Sequence, residues 1–388
     1  LGWLGWIAFP SNWLGRLPLE VYSPEAFGFL ALLGLPHLAA ARAFLLFGLI
    51  QFLHKSDENQ WMRSAIFGGL CWLVTGIFQP LTIVVGYGIL GCYFLLILIT
   101  KTYENWQSLV PMIKKAVVIV VISSPWVIYN FLSFTQDSYL KAWYAQNIIQ
   151  SPPFQDYLWS YGLFVLAAIP ANVRIFKEKD RRRLLLIAWL LCAAGLAYFP
   201  YNVQRRFIDG VWIALVILMI MNYELISQEK SGNLYKGLIG LSAIAPILVM
   251  LVALRGAWVV STPVYRPTAQ VVMFNAIANI SQPGDVILSS YDTGNALPAW
   301  APVYVLAGHG PESANLKTIL PEVEAFFSGE KDLAWQKSFI LRNDIQYIVV
   351  GPRERALGSW ENKYGNSYIS IYNQGGYQVF KVELTDGK

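Results

Sequence analysis

Charged residues are scarce in this sequence. They make up 14% of its 388 residues, whereas soluble domains average about 25%. Hydrophobic residues reach 55%, and the mean hydropathy is +0.44. A composition this apolar excludes an ordinary water-soluble domain and indicates a chain that crosses a membrane several times.

Cysteine and histidine are also rare, at three residues each. The cysteines lie in apolar runs and none lies in the tail, so neither a disulfide framework nor a cysteine-based metal site is predicted. Walker A, HExxH, GxSxG and zinc-ligand spacings are missing, and no predicted outer loop carries an acidic pair such as DxD. The sequence therefore identifies no metal ligand and no familiar hydrolase or nucleotide-binding motif.

Long apolar runs are what the sequence has instead. Eight of them are of membrane-crossing character, at about 37–53, 64–78, 81–100, 116–132, 157–173, 184–199, 207–223 and 236–256. Gln79-Pro80 interrupts the apolar stretch between the second and the third. Because proline lacks a donor and clashes with the preceding helical turn, we predict two helices and a tight turn there, with a kinked or re-entrant pair as the alternative.

Lysine and arginine divide the loops into two sets. Thirteen lie in one set, which is formed by 54–63, 101–115, 174–183 and 224–235 together with Lys236. Four lie in the opposite set of 1–36, 79–80, 133–156 and 200–206, namely Arg16, Lys141, Arg205 and Arg206. The positive-inside rule makes the first set cytoplasmic. We therefore predict that the second set and the tail are extracytoplasmic.

The tail differs in character from the rest. It holds 10 Lys and Arg against 12 Asp and Glu, so the basic excess of the protein belongs to the membrane part and does not indicate nucleic-acid binding. Helical patterns at 268–280, 313–328 and 332–343 alternate with strand patterns at 286–290, 303–307 and 346–350, and Gly375-Gly376 joins two more strands, 368–373 and 377–383. This alternation predicts a partly parallel sheet.

The expected architecture is thus a polytopic all-α transmembrane bundle of about eight spans followed by a small extracytoplasmic α/β domain. Its boundaries are an extracytoplasmic or re-entrant segment at 1–36, the bundle at 37–256 and the α/β domain at 257–388.

Two adjacent arginines stand out, because Arg205 and Arg206 lie in a very short loop on the predicted outer side. Arginine stays charged and offers a fork of donors that matches phosphate oxygens. One interpretation is therefore a clamp on a lipid phosphate, with Tyr201, Asn202 and Gln204 adding polar groups. The alternative is snorkelling toward headgroups without a specific ligand.

Three further ionisable residues lie near the start of the first span. Arg42 lies about one turn inside it, and an ionisable group there is a functional candidate because burial without a partner is costly. Arg42 could share an outer helix face with His37, or it could pair with a carboxylate such as Glu25. Glu25 itself is a weak candidate acid or base, and the alternative is a carboxylate at a helix N-terminus.

Outer loops supply weaker signals. The aromatic and amide residues of 141–147 and 151–154 suit either sugar recognition or an interfacial belt. Loops 291–295, 308–313 and 351–355 each follow a strand, so parallel strands would bring them to one edge, where α/β sheets bind ligands. Backbone amides of 308–313 could bind an anion, but no nucleotide fingerprint is present and His309 stands alone, which favours a structural turn.

Together these segments resemble the carboxyl two-thirds of a bacterial GT-C glycosyltransferase, and specifically an uncharacterised Chloroflexota-type subgroup. The resemblance spans nearly the whole chain. It is carried by Pro24-Glu-Ala-Phe27, Leu35-Pro-His-Leu38, Asn147 with Ser151-Pro-Pro153, Tyr198-Phe-Pro-Tyr-Asn-Val-Gln-Arg-Arg-Phe207, Gly308-His-Gly-Pro-Glu-Ser313 and Gly351-Pro-Arg-Glu-Arg355.

The resemblance implies inverting transfer from a polyprenyl-phosphate-linked sugar to an extracytoplasmic acceptor at a bacterial plasma membrane. It implies a phosphate-binding role for Arg205 and Arg206 and a base in the first outer loop. Gln204, Tyr201, Arg42 and His37 are the further candidates for binding the lipid phosphate or substrate. The chain starts at Leu1 without a visible signal peptide, so we expect an N-terminal truncation, a catalytic Asp upstream and an inactive fragment. Relatives differ in their use of a divalent cation, so a cofactor stays open.

A second hypothesis is a lipid or polysaccharide transporter, or a membrane scaffold without chemistry. The polytopic bundle and the missing catalytic pair favour it. Membrane lipid is a partner under either hypothesis, whereas sugar, acceptor and protein partners are not specified by the sequence.

Overall fold

The chain forms two compact units in a computed structural model. Residues Leu1–Gln136 and Ile148–Leu254 form the first unit, and residues Asp137–Asn147 and Arg255–Lys388 form the second. The structure describes residues 2–8, 17–54, 60–226, 232–361 and 367–383. Arg16, Lys55 and Lys230, which enter the charge count of the loops, lie outside these ranges.

The first unit contains helices and no strand in its described part. Three short helices, α1 (Gly2–Ala8), α2 (Leu19–Tyr22) and α3 (Gly28–Gly34), fall in the segment 1–36. The longer helices are α4 (Pro36–Leu53), α5 (Trp61–Phe78), α6 (Pro80–Thr100), α7 (Val110–Gln136), α9 (Phe154–Glu178), α10 (Leu184–Leu196), α11 (Val211–Ile226), α12 (Gly232–Ser242) and α13 (Ile244–Trp258), with α8 (Ser138–Gln146) belonging to the second unit.

Seven helical segments in the described residues are long and apolar enough to cross a membrane. They are Pro36–Leu53, Trp61–Phe78, Pro80–Thr100, Trp106–Gln136, Phe154–Glu178, Gln204–Glu224 and Tyr235–Trp258. The remaining predicted span, 184–199, corresponds to α10, which has 13 residues and is about 20 Å long. The predicted fold class, a polytopic helical bundle followed by a small α/β domain, is confirmed.

Two contacts indicate that the short helix α10 also crosses the bilayer. Glu25 lies within 4 Å of Arg205 and Arg206. Between them lie the five long helices α4, α5, α6, α7 and α9, the 13-residue helix α10, and the helices α3 and α8, which have 7 and 9 residues and are too short to cross. Helix α8 folds with the residues after 254, and α9, α10, α11 and the pair α12–α13 lie between them. Both contacts require an even number of crossings, which is reached only if α10 is one of them.

This sidedness can be tested by cysteine labelling in a background where the three native cysteines are replaced by serine. We expect Ser138→Cys, Phe199→Cys and Ala334→Cys to react with a membrane-impermeant maleimide from one side, and Lys179→Cys from the other. All four positions are exposed. Labelling of Phe199→Cys from the Lys179 side would show that α10 does not cross.

Two separate helices meet at Gln79-Pro80. Helix α5 ends at Phe78 and α6 begins at Pro80, with Gln79 extended between them at φ −154° and ψ 98°. Pro80 occupies the first helical position, where its missing N–H costs no hydrogen bond. The prediction of two helices and a tight turn is therefore confirmed, and the kinked alternative is not observed.

Glycines allow the helices α4 and α5 to approach closely. A Cβ on Gly48 would lie 2.3 Å from the ring of Trp72, which is fully buried and donates its indole N–H to the carbonyl of Leu45 at 3.2 Å. Small residues at helix crossings are typical of membrane bundles, where dispersion contacts between backbones replace the hydrophobic effect.

The second unit contains a five-stranded sheet in the order β2-β1-β3-β5-β4. The strands β1, β2 and β3 are parallel, and the hairpin β4–β5 adds to β3 in antiparallel fashion. The predicted partly parallel sheet and terminal hairpin are confirmed. The strands are β1 (Val286–Leu288), β2 (Tyr304–Val305), β3 (Ile345–Val350), β4 (Tyr368–Gln374) and β5 (Tyr377–Val382).

Helices cover both faces of this sheet. The described ones are α14 (Thr268–Ile280), α15 (Tyr291–Gly294), α16 (Leu316–Ser328), α17 (Leu333–Arg342) and α18 (Pro352–Arg355). Leu288 and Ile348 pack with α16 and α17 on one face, whereas Ile287 and Val349 pack with α14 on the other. Successive residues of a strand point to opposite faces, so burial on both sides explains why these strands lack a polar alternation.

Residues 137–147 depart from the boundaries expected from the sequence, which include them in the bundle. Gln146 Nε2 donates to the carbonyls of Pro311 at 2.6 Å and Ser313 at 2.5 Å, and its Oε1 accepts from Leu316 N at 3.2 Å. Tyr139 donates to the carbonyl of Glu312 at 2.5 Å. Helix α8 is therefore attached to the α/β domain by side-chain-to-backbone hydrogen bonds.

Candidate functional site

The arginine loop, residues 197–206, is held in place by hydrogen bonds to the segment 149–152. Ile149 N donates to Asn202 O at 2.7 Å, and Arg205 N donates to Ile149 O at 3.3 Å. Tyr198 donates to the carbonyl of Pro152 at 2.7 Å. Burial raises the pKa of Tyr198, and the charge of Asp156 raises it further, so the hydroxyl remains a donor at neutral pH. These contacts set the direction in which the two arginines leave the chain.

A second short segment, the turn at 23–27, faces the arginine loop. Its backbone carbonyls accept hydrogen bonds from several directions: Arg42 Nη2 donates to Pro24 O at 2.5 Å and to Glu25 O at 3.1 Å. Gly210 N donates to Glu25 O at 3.3 Å, and Tyr161 donates to Ala26 O at 2.6 Å. The turn is therefore held between α4, α9 and the start of α11.

The anchor of this arrangement is a buried ion pair between Arg42 and Asp209. Arg42 Nε donates to Asp209 Oδ1 at 2.7 Å, and Nη2 lies 2.6 Å from the same oxygen. Thr82 donates to Asp209 Oδ2 at 2.6 Å. All three residues are at least 95% buried. Each charge thus has a partner, as charges withdrawn from water require.

Arg205 and Arg206 converge on the carboxylate of Glu25. Arg205 Nε lies 3.9 Å from Oε2 and Arg206 Nε lies 3.7 Å from Oε1. These separations are within Coulombic range but too long for hydrogen bonds, and both buried Nε atoms have no hydrogen-bond partner in the described part of the chain. The Arg205 guanidinium also lies over the ring of Tyr22, 5.1 Å from its centroid, a stabilising cation–π geometry.

The charges of this cluster do not cancel. Arg42 is paired with Asp209, whereas Arg205 and Arg206 face the carboxylate of Glu25, so these five side chains together carry one positive charge in excess. The buried carboxylates of Glu20 and Asp156 lie outside this count. The Arg205 and Arg206 side chains are 19% and 29% exposed, and Glu25 is 8% exposed. Partly accessible guanidinium groups with unused donors can bind an anion.

The other residues predicted to bind the lipid phosphate differ in their contacts and in their exposure. Gln204 Oε1 accepts from Ser151 N at 3.3 Å and so supports the loop. Tyr201 is exposed and packs its ring 5.7 Å from that of Phe207. His37 is exposed whereas Arg42 is buried, so the expectation that they share a helix face is wrong. Five positions correspond to about 140° around a helix axis.

Two expectations for the carboxylates also need correction. The side-chain partner of Arg42 is Asp209 and not Glu25, which offers Arg42 only its backbone carbonyl. Glu25 lies in a turn between α2 and α3 and not in the first turn of a helix. The sequence contained one overlooked signal: Asp209 is an ionisable residue at the edge of an apolar run, as Arg42 is.

The strands β1, β2 and β3 are parallel, so the three loops that follow them lie at one edge of the sheet. Hydrogen bonds connect these loops to one another. The carboxylate of Glu354 accepts from Ser290 N at 2.9 Å, from Ser290 Oγ at 2.6 Å and from Gly351 N at 2.8 Å. Gly310 N donates to Tyr291 at 2.9 Å. His309 is exposed and lies 3.0 Å from Glu312. The contacts agree with a structural role for these turns.

The described residues contain no group of three or more His, Cys, Asp or Glu that could hold a metal ion. In the arginine cluster, the oxygens of Asp209 are occupied by Arg42 and Thr82, and Glu25 faces two cations. These two carboxylates therefore do not fit a divalent cation.

The fold is that of a multi-pass membrane protein, and its helical unit holds a cluster of arginines and carboxylates. No protein-family model and no curated protein matches the sequence. Solved structures of the oligosaccharyltransferase of Archaeoglobus fulgidus are similar to it.

One of these structures is in complex with an inhibitory peptide and a dolichol-phosphate. It has 14% identity and a TM-score of 0.47, and the match covers 90% of this chain and 57% of that one. The apo form has 12% identity and a TM-score of 0.47, with 90% and 58% covered. The complex with Zn and sulfate has 13% identity and a TM-score of 0.45, with 89% and 56% covered. The chain thus spans somewhat more than half the length of these structures.

Proposed function

We propose that the chain is part of a GT-C type membrane glycosyltransferase that uses a lipid-linked sugar donor, and that Arg205 and Arg206 bind the lipid phosphate. The observation that carries this proposal is the pair of guanidinium groups with unused donors and an excess positive charge. A phosphate with two non-bridging oxygens matches two such groups.

The uneven loop charges support an orientation in which the cluster is extracytoplasmic. The loop 174–183 alone holds six Lys and Arg, and such loops remain cytoplasmic. The cluster then opens to the outer leaflet of a bacterial plasma membrane, which a polyprenyl-phosphate-linked donor reaches by lateral diffusion.

The chemistry proposed for the cluster is stabilisation of the leaving group. A nucleophile of the acceptor gives its proton to a base outside this cluster and attacks the anomeric carbon. The bond from that carbon to the phosphate oxygen breaks, and the electron pair stays on the phosphate. Fixed cations beside that oxygen stabilise the charge as it develops. Neither Glu25 nor Asp209 is assigned as the base, since both carboxylates face guanidinium groups.

Double replacement of the arginines tests the proposal in the full-length protein. With Arg205→Gln and Arg206→Gln, we expect release of polyprenyl phosphate from a polyprenyl-phosphate hexose in proteoliposomes to fall by about 100-fold or more. Lys141→Gln is the matched control, because Lys141 is an exposed cation on the same predicted side. Unchanged turnover in the double variant would refute the clamp.

A lipid or polysaccharide transporter is the second candidate. It is favoured by the observation that the carboxylates of the arginine cluster are engaged, so that the described cluster binds an anion but offers no base. Movement of the intact donor across proteoliposomes without cleavage would support the transporter.

A further inference from the structure

The fixed carboxylate of Glu25 is an unusual neighbour for a phosphate site. It is 92% buried with its side chain directed at both arginines, and its distances of 3.7 and 3.9 Å leave their Nε donors unused. A residue whose only role was to neutralise the arginines would be expected to form hydrogen bonds with them. Here the carboxylate acts on the charge of the site while leaving the donors free for a ligand.

Glu25 is also prevented from moving away. Its carbonyl accepts from Arg42 and Gly210, and the carbonyl of Pro24 accepts from Arg42 as well. Ser23 Oγ donates to Glu25 Oε2 at 3.4 Å. Since Arg42 is itself fixed by Asp209, the backbone that carries Glu25 is held beside the two arginines.

From this geometry we infer that Glu25 adapts the arginine pair to a singly charged phosphodiester and discriminates against diphosphate-linked lipids. The inference rests on the proposed function and specifies its substrate class. Two arginines and one carboxylate carry a net single positive charge, which one phosphodiester cancels. A diphosphate leaves an uncompensated negative charge in the same partly buried space.

The physical basis is that the attraction of the ligand to the site and the cost of removing the ligand from water depend differently on the charge of the ligand. Attraction to the site grows in proportion to the charge of the ligand, whereas the Born cost of removing that charge from water grows with its square. The second term dominates for a multiply charged headgroup unless the site supplies matching positive charge. Glu25 removes half of what the two arginines would supply.

Binding of two short, water-soluble probes tests the inference in the whole chain in nanodiscs. Farnesyl methyl phosphate carries one negative charge, and farnesyl diphosphate carries more. We expect the unmodified protein to bind the first more tightly. Glu25→Gln should raise affinity for farnesyl diphosphate about tenfold more than for farnesyl methyl phosphate, which corresponds to about 1.4 kcal/mol.

Three further variants separate the possible causes. Glu25→Asp keeps the charge and should keep the original preference. Glu312→Gln removes a partly exposed carboxylate of the α/β domain and should change neither affinity. In the Arg205→Gln and Arg206→Gln background, neither probe should bind, whether or not Glu25→Gln is also present.

The outcomes also distinguish this inference from the proposed function. If farnesyl methyl phosphate binds, the arginine variants lose it, and Glu25→Gln changes both affinities equally, then only the charge discrimination by Glu25 is wrong. The same holds if the unmodified protein prefers farnesyl diphosphate. If neither probe binds, or the arginine variants bind both normally, the phosphate clamp fails and the inference fails with it.

Discussion

Asp209→Ala is expected to destabilise the helical unit by about 3–5 kcal/mol, because it leaves the Arg42 guanidinium buried without a counter-ion. Arg42 is 4% exposed, and its remaining acceptors are the carbonyls of Pro24 and Glu25. The free energy of unfolding can be measured by titrating the protein with SDS in mixed micelles and following tryptophan fluorescence. The expected midpoint lies at a clearly lower SDS fraction than that of the unmodified protein.

A paired replacement provides the control. Arg42→Met together with Asp209→Leu removes both charges and keeps much of the volume, so it should recover most of the stability that Asp209→Ala loses. Equal midpoints for Asp209→Ala and the unmodified protein would mean that the ion pair does not stabilise the bundle.

Trp360→Ala is the second large effect, with an expected cost of about 3–5 kcal/mol to the α/β domain. The ring is 8% exposed and lies within 6 Å of the rings of Phe326, Tyr368 and Phe380. Its indole N–H donates to Gln336 Oε1 at 3.1 Å, so truncation leaves both a cavity and an unpaired amide oxygen.

Hydrogen exchange in the full-length protein locates this effect. Amides of β3 should exchange faster in Trp360→Ala, because β3 lies in the middle of the sheet and opens only with the domain. Trp300→Ala is the matched control: Trp300 is 42% exposed, and its loss should cost about 1 kcal/mol or less. Unchanged protection of β3 in the Trp360 variant would show that the aromatic cluster does not hold the sheet.

Much of the fold was predictable because its signals are local. Long apolar runs identify the spans, and the Gly-Gly turn at 375–376 identifies the terminal hairpin. Hydropathy patterns and turn-forming residues are both recognisable within a few residues. They can therefore be read without knowing which other segments of the chain pack against them. The short helix α10 was predicted as a span by its apolarity, although its 13 residues do not suffice by length alone.

The site was less predictable, because its contacts join distant parts of the chain. Arg42 and Asp209 are 167 positions apart, and hydropathy does not reveal which of several carboxylates pairs with a buried arginine. The proximity of Glu25 to Arg205 and Arg206 likewise depends on how α2, α3 and α11 meet. Loop charge identified the arginines as unusual, but only packing reveals the carboxylate that they share.

The attachment of α8 has a consequence for biosynthesis. Gln146 binds backbone groups between Pro311 and Leu316, yet α8 leaves the ribosome well before those residues exist. Four further crossings, α9 to α13, must be inserted while the amide of Gln146 and the hydroxyl of Tyr139 remain without their partners. Completion of the α/β domain is therefore a late step in which an early segment is captured by the end of the chain, and a tail produced without residues 137–147 would lack one of its own parts.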